Sequence, residues 1–305
     1  MATITNILKR IADPAIDVKE VTLVTHISKP HHADDVCATA LLRILFEDLN
    51  QTPCKLVKTF TPAEDGYIDE TEDTVIYDIG LGIYDHHQAK GNDPFGLLES
   101  RFKEDGSKYS STGLIWKEIG HILVPEEYVD EFYNNVLLYI DQQDNGEAFN
   151  PLSTLMRHMN YYNEKNKYEC FETSVNIIKT MFTASFNMYA KQHRETEEIK
   201  VVVDSREDDI CLVSDRYYAG LAAEAAKLQI PFIVYPDARD NTGTKYSFKT
   251  VTPIDGEMTD HILDIPDEVR KWEGVTFLHP SCFLGTAITK DRAIEIVHEV
   301  YKNSL

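Results

Sequence analysis

The chain alternates short apolar runs with helix-like segments, and ionisable residues stand where several of those runs end. Runs rich in β-branched and aromatic residues occur at Glu20–His26, Lys55–Phe60, Thr74–Ile79 and Gly82–Tyr84. Between the first two, Val36, Ala40, Leu41, Ile44, Leu45 and Leu49 recur at helical spacing behind Asp34 or Asp35, which occupy the position of an N-cap. Such a pattern reads as an α/β fold, a mainly parallel sheet with flanking helices. One strand delivers His26 to a turn and a helix leaves from the aspartates. In open α/β sheets, ligands bind at such turns, at the carboxyl ends of the strands.

At 305 residues the chain is long for one compact domain, so two are expected. Ser110 and Ser111 precede a helix at Thr112–Ile119, Glu126–Ile140 reads as a long helix ending at Asp141–Gly146, and another helical pattern covers Tyr168–Thr196. Strand character then returns at Ile199–Val203, Ile210–Val213, Phe232–Tyr235, Lys245–Val251 and Val275–His279, with helices near Ala219–Leu228 and Asp291–Lys302. The expected division is a first α/β domain over residues 1–196 and a smaller mixed α/β domain over residues 197–305; the clusters and resemblance described below make the first the catalytic and the second the substrate-binding domain.

Charge and cysteine usage narrow the function. A net charge of −21 repels polyanions and anionic membranes, so long duplex DNA, which is held by many Lys and Arg contacts, is not an expected partner. Most of that charge is expected to be solvated surface, as at Glu64–Glu72 and Glu207–Asp209. The five cysteines, Cys37, Cys54, Cys170, Cys211 and Cys282, lie far apart without a C-x-x-C pair and fit a reducing cytoplasm. Met1 to Lys9 lacks the apolar core of a signal peptide and no run is long enough to span a bilayer, so neither secretion nor a membrane partner is expected.

Three strand-end clusters carry the chemistry. The stretch Thr25–Asp35, THISKPHHADD, gathers His26, His31, His32, Asp34 and Asp35 around one turn. Asp78 ends the next run, in Tyr77-Asp78-Ile79-Gly80, and Asp85-His86-His87-Gln88 follows the last. Singly, each has a plain structural role: a helix cap, a turn or a solvated histidine pair. Together they are costly at buried strand ends without partners, and carboxylates with imidazoles suit Mn, Fe, Co, Zn or Mg ions.

The DHHQ of Asp85–Gln88 resembles the signature of the DHH phosphoesterase superfamily. THISKPHHADDVCATALL, YDIG, YDHHQ, YSSTGLIWKEIG, IDQQDNG and FLHPSCFLG, in this order, are similar to the melanocyte-proliferating-gene family of DHH-like exonucleases, from about Val21 to the C-terminal helix. The resemblance implies a metal-dependent phosphodiesterase acting on RNA or short oligonucleotides from the 3′ end through water activated by two divalent ions, Mn2+ by expectation, with Mg2+ or Co2+ as alternatives. It further implies His26, His32, Asp34 and His86 as metal ligands, Asp78 as a bridge between the metals, and Asp141 or Asp144 as the last ligand, with Asp141 preferred.

By the same resemblance Asp85 orients its neighbours, Asp78 and His87 are the catalytic pair, and His87 faces either the phosphate or the ligands it supports from behind. Ser110 and Ser111 could cradle an anionic oxygen at their helix N-terminus or simply cap it, and His279 is a candidate substrate contact. The first motif is one residue longer than usual and has Ser28 where Gly is common, so His31 could exchange roles with His32 and Asp35 is a further alternative. The C-terminal CFLGTA also departs from the family's Gly-rich stretch, which bears on substrate handling. Competing readings are a small-substrate phosphatase or dinucleotide phosphodiesterase and, outside the enzymes, a metal- or nucleotide-binding regulatory module. A homodimer is left open.

Overall fold

The computed structural model describes residues 3–27, 30–59, 71–257 and 259–304. Ser28, the last residue of the Lys55–Phe60 run and most of Glu64–Glu72 lie outside them. The contacts separate the chain into two units, Met1–Tyr189 and Ala190–Leu305. It is an α/β protein with a parallel sheet flanked by helices in the first unit and a mixed sheet in the second.

The first unit opens with helix α1 (Ile4–Ala12), capped by the Thr3 hydroxyl, which accepts the Asn6 N–H. Strand β1 (Val21–His26) leads to α2 (Ala33–Arg43), continued by a π-helical turn over Ile44–Leu49. Carbonyls left over at that turn are taken by the Thr52 N–H, 2.8 Å from Phe46 O, and by Asn50 Nδ2, 2.7 Å from Leu45 O. Strands β2 (Cys54–Thr59) and β3 (Thr74–Ile76) follow, and the order β2-β1-β3 is parallel throughout. The helices α3 (Ser111–Leu123), α4 (Val129–Phe132), α5 (Leu138–Asp144) and α6 (Pro151–Met159) complete the unit with the start of α7 (Lys167–Asp204). Every residue of α2 from Ala33 to Leu42 is buried, because the helix packs against β1 and also against α3, α5 and α6. Each large apolar side chain there, such as Leu41, contributes about 1.5–3 kcal/mol by leaving water.

This burial bears on function because α2 carries Asp34 and Asp35 at its first turn, where both are about 1% exposed. Parallel pairing also brings the carboxyl ends of β1 and β3 to one edge. The Tyr77 N–H extends the ladder to Val24 O at 3.0 Å, and Tyr77 bridges to Tyr84 where a fourth strand was expected over Gly82–Tyr84. Asp78, Gly80 and Leu81 all take positive φ (58°, 83° and 57°), folding the chain back within a few residues.

In the second unit, β4 (Cys211–Val213), α8 (Leu221–Lys227), β5 (Phe232–Pro236), β6 (Tyr246–Thr250), β7 (Val275–Leu278), β8 (Leu284–Ala287) and α9 (Lys290–Ser304) form a five-stranded sheet, order β4-β5-β6-β8-β7, with its helices. Only β4 and β5 are parallel. The strand expected at Ile199–Val203 is instead the end of α7. Ile199, Val202 and Val203 pack inward while Val201 is exposed, a helical spacing, so propagation of a long helix overrides the β-propensity of the valines. The expected long helix over Glu126–Ile140 is broken into a 3-10 turn, α4, a π-helical turn and α5. Among the described residues no helix is long and apolar enough to cross a membrane.

Candidate metal centre

Asp34, the second residue of α2, turns its carboxylate onto the N-terminus of α3. Oδ1 accepts the Thr112 N–H at 2.7 Å and Oδ2 the Ser111 N–H at 3.1 Å, while the Thr112 hydroxyl donates to Asp34 O at 2.8 Å. Of the two roles open to this serine pair, the cap is present, Ser110 Oγ accepting the Gly113 N–H at 3.4 Å, and the amides that could cradle a substrate oxygen hold a carboxylate of the chain itself, favoured there by the helix dipole. Ser110 is similarly engaged: its N–H and hydroxyl both donate to Asp141 Oδ1, at 3.0 and 2.8 Å. Ser110 and Ser111 are fully buried, with Ser111 Oγ 3.5 Å from Asp78 Oδ1. They position acidic side chains and leave no N–H of this pair facing solvent.

His86 stands at the meeting point of three carboxylates. Its Nε2 is 3.1 Å from Asp144 Oδ2 and 3.5 Å from Asp78 Oδ1. Donor atoms of Asp34, His86 and Asp144 lie within 4.8 Å of one another, as do those of Asp78, His86 and His87, so two groups share His86. Burial, then the Asp34 carboxylate, pushes Asp78 up to about 9 and Asp144 up to about 8. Nitrogen and carboxylate donors, buried and short of positive charge, fit hard or borderline divalent cations.

Asp141, preferred in the sequence as the last ligand, points elsewhere. Besides Ser110 it accepts the Tyr133 hydroxyl at 2.5 Å and lies 3.2 Å from the Lys103 ammonium. It sits one helical turn before Asp144, the last residue of α5, and the two carboxylates face different neighbours. Asp144, the alternative, is the one that meets His86.

The other histidines separate as clearly. His31 is buried, its Nε2 3.1 Å from Ser174 Oγ and its ring edge-on to Phe171, burial lowers it to about 4, and it lines a separate pocket with Lys58 and Lys167. His32 caps α2, giving its N–H to Asp35 Oδ1 at 2.9 Å, and its side chain lines two pockets. One, of about 280 Å³, is also lined by His26, Asp78, His86, His87 and Asp144. The other, of about 160 Å³, is lined by His32, Asp34, Asp144 and Arg157 among others. His26 is lowered by burial and by the neighbouring His32.

Asp85 organises the loop. Its Oδ2 accepts the Leu81 N–H at 2.6 Å, and Oδ1 accepts His87 N–H at 3.1 Å and lies 2.6 Å from His87 Nδ1. Burial pushes its carboxyl up, but these bonds outweigh that and hold it low, while the same bond raises His87.

Several supports were not legible in the sequence. Gln88 Nε2 donates to Leu81 O at 2.8 Å and Gly82 O at 3.1 Å. Buried Arg101 joins Gln88 Oε1 at 3.1 Å to Gly82 O at 2.8 Å. Lys58 holds Asp35 at 3.2 Å and lies over the Phe171 ring, 3.4 Å from its centre. Gly113 faces the Asp141 carboxylate so closely that a Cβ would lie 2.5 Å from Oδ1. Only the Gln of DHHQ carried a signal, its place in the motif. In the second unit, His279 follows β7, its Nδ1 accepting the Ser281 N–H at 3.1 Å and its ring tilted against Phe283.

An α/β fold with a buried His/Asp cluster at the carboxyl ends of parallel strands is an arrangement able to hold divalent cations. Residues 22–300 match the profile of MYG1_exonuc, uncharacterised protein family UPF0160, and the chain belongs to that family. No curated protein matches it. Two solved structures with some similarity are of RecJ from Thermus thermophilus. In complex with Mn2+ it gives a TM-score of 0.29 at 10% identity, covering 97% of this chain and 53% of RecJ. In complex with Mg2+ it gives 0.28 at 11%, covering 97% and 51%. The chain spans about half the length of these RecJ chains.

Proposed function

We propose that the protein is a metal-dependent phosphodiesterase that removes nucleotides from the 3′ end of RNA or short oligonucleotides. The observation that carries this reading is the convergence of Asp34, Asp78 and Asp144 on His86 in buried surroundings. Asp34, Asp78, His86 and Asp144 would hold two divalent cations, Mn2+ by preference, with His26 and His32 at the rim. Such cations polarise phosphate oxygens and make water acidic enough to react near neutral pH. In this reading Asp144 takes the place first given to Asp141.

The chain's own groups do the rest. His87 is the exposed member of the pair, its Nδ1 occupied by Asp85, so its Nε2 is left for an anionic oxygen. The bond to Asp85 raises its pKa, which favours the protonated ring as a donor to such an oxygen. Among the described residues Arg157 is the one Lys or Arg lining either pocket, so few phosphates are held beyond the reacting one. Pockets of about 160 and 280 Å³ suit a nucleotide end rather than a duplex. That size equally favours a dinucleotide as substrate, the second reading. His279 and the second unit would contact the remainder of the substrate, in a reducing cytoplasmic setting.

The test compares Mn2+-dependent release from end-labelled short RNA, short DNA, dinucleotides, pyrophosphate and long duplex DNA. Mononucleotides leaving the 3′ end of short RNA, abolished by chelator, are expected. Faster cleavage of dinucleotides alone supports the second reading. Internal cuts in circular RNA, or equal rates on long duplex DNA, refute both.

A further inference from the structure

The second unit brings three chemically different donors together on three separate parts of the chain. Asp208 precedes β4, Cys211 begins it, and His298 lies on α9. A carboxylate oxygen, the thiol sulfur and a ring nitrogen of these residues lie within 4.8 Å of one another. We propose that Asp208, Cys211 and His298 form a second cation site, selective for Zn2+-like ions.

Geometry favours a shared ion over a simple ion pair. His298 Nε2 is 3.0 Å from Asp208 Oδ2, yet this ring nitrogen is shielded from solvent and makes no hydrogen bond among the described residues. The two atoms are close without the alignment that an N–H donor requires. Asp208 divides its duties: Oδ1 accepts the Ile210 N–H at 2.7 Å and the Cys211 N–H at 3.4 Å, which fixes the turn presenting the thiol, and Oδ2 is left toward His298. Neighbouring cations are committed elsewhere, Arg206 to Asp209 at 2.9 Å and Lys290 to Asp215 at 2.8 Å.

The donor set selects the ion. Sulfur with imidazole nitrogen favours Zn2+ over Mg2+ or Ca2+, and three protein ligands leave a fourth tetrahedral position. That position would open to the adjoining pocket of about 270 Å³, where water or a further ligand could complete it. β4 is an edge strand with β5 as its one sheet neighbour, and α9 packs on it. An ion held by Cys211 and His298 would therefore tie the last helix to the sheet edge.

Co2+ is the probe, because a thiolate bound to it gives a near-ultraviolet charge-transfer band that nitrogen and oxygen donors do not. The groups around His86 have no sulfur, so the band reports the second unit whatever the first unit binds. Full-length protein titrated with Co2+ should develop the band to a plateau whose height matches one thiolate-bound ion per chain, and Asp144→Asn should reach the same plateau. Cys211→Ser should lose it. His298→Gln, on the half-exposed face of α9, should weaken it at least about a hundredfold in affinity, since even partners outside the ligand set change affinity 10–100-fold. No band in the wild type, a band that persists in Cys211→Ser, or unchanged affinity in a folded His298→Gln overturns the site.

Discussion

His86 Nε2 lies 3.1 Å from Asp144 Oδ2, which joins the DHHQ loop to the last residue of α5. Asp141, one turn earlier, instead binds Ser110 and Tyr133. The two aspartates should therefore separate in function. Asp144→Asn should lower Mn2+-dependent hydrolysis about a hundredfold or more without lowering the urea midpoint of the metal-free protein. Asp141→Asn should chiefly lower stability, by about 1–3 kcal/mol, because it weakens several buried hydrogen bonds. Near wild-type turnover by Asp144→Asn would remove it from the proposed ligand set.

Gly113→Ala tests the packing behind Asp141. The added Cβ meets carboxylate oxygens at 2.5 and 2.7 Å, so Asp141 must shift off the Ser110 amide. A loss of about 1–3 kcal/mol is expected from such overpacking, read as a lower urea midpoint at constant m. An unchanged midpoint would mean that Asp141 moves without cost.

Stability should depend on pH in a direction set by the carboxylates. Asp78 and Asp144 have an ordinary value of 3.8 when unfolded and about 9 and about 8 when folded, owing first to burial and then to Asp34. Between these limits the folded chain holds protons that the unfolded chain has released. The stability present below about pH 4 is therefore lost as pH rises through about 8 to 9. Chelator-treated protein should melt lower at pH 9 than at pH 6, and both Asp144→Asn and saturating Mn2+ should flatten that fall. Parallel melting curves for wild type and variant count against the reading.

Arg101 should matter through the loop it closes. Arg101→Ala removes the donor to Gly82 O and Gln88 Oε1, which should cost about 2–4 kcal/mol and weaken Mn2+ binding about 10–100-fold. Arg101→Lys should rescue little, since one ammonium does not reproduce the planar two-directional contact. Calorimetric metal titration checks both, and wild-type affinity in the Ala variant would limit Arg101 to folding.

What the sequence by itself determined was local. Alternating apolar runs announce β1, β2 and β3, helical spacing announces α2, and strand-end ionisable residues mark where chemistry gathers, because periodicity and end position are properties of neighbouring residues. The His/Asp motifs and the family likeness were legible for the same reason. Tertiary structure alone decided which carboxylate meets His86, since Asp141 and Asp144 share one short helix and differ only in which way each faces once α3 and the DHHQ loop have packed. It also decided that His31 packs on Ser174 and Phe171 while His32 lines the pockets that include Asp34 and Asp144, and that Ser110 and Ser111 serve Asp141 and Asp34. These outcomes depend on hydrogen bonds and burial between residues distant in sequence, whose energies no local pattern carries. The valines of residues 201–203 mark the same boundary from the other side: their β-propensity is local, and the helix that overrides it is fixed by packing along α7.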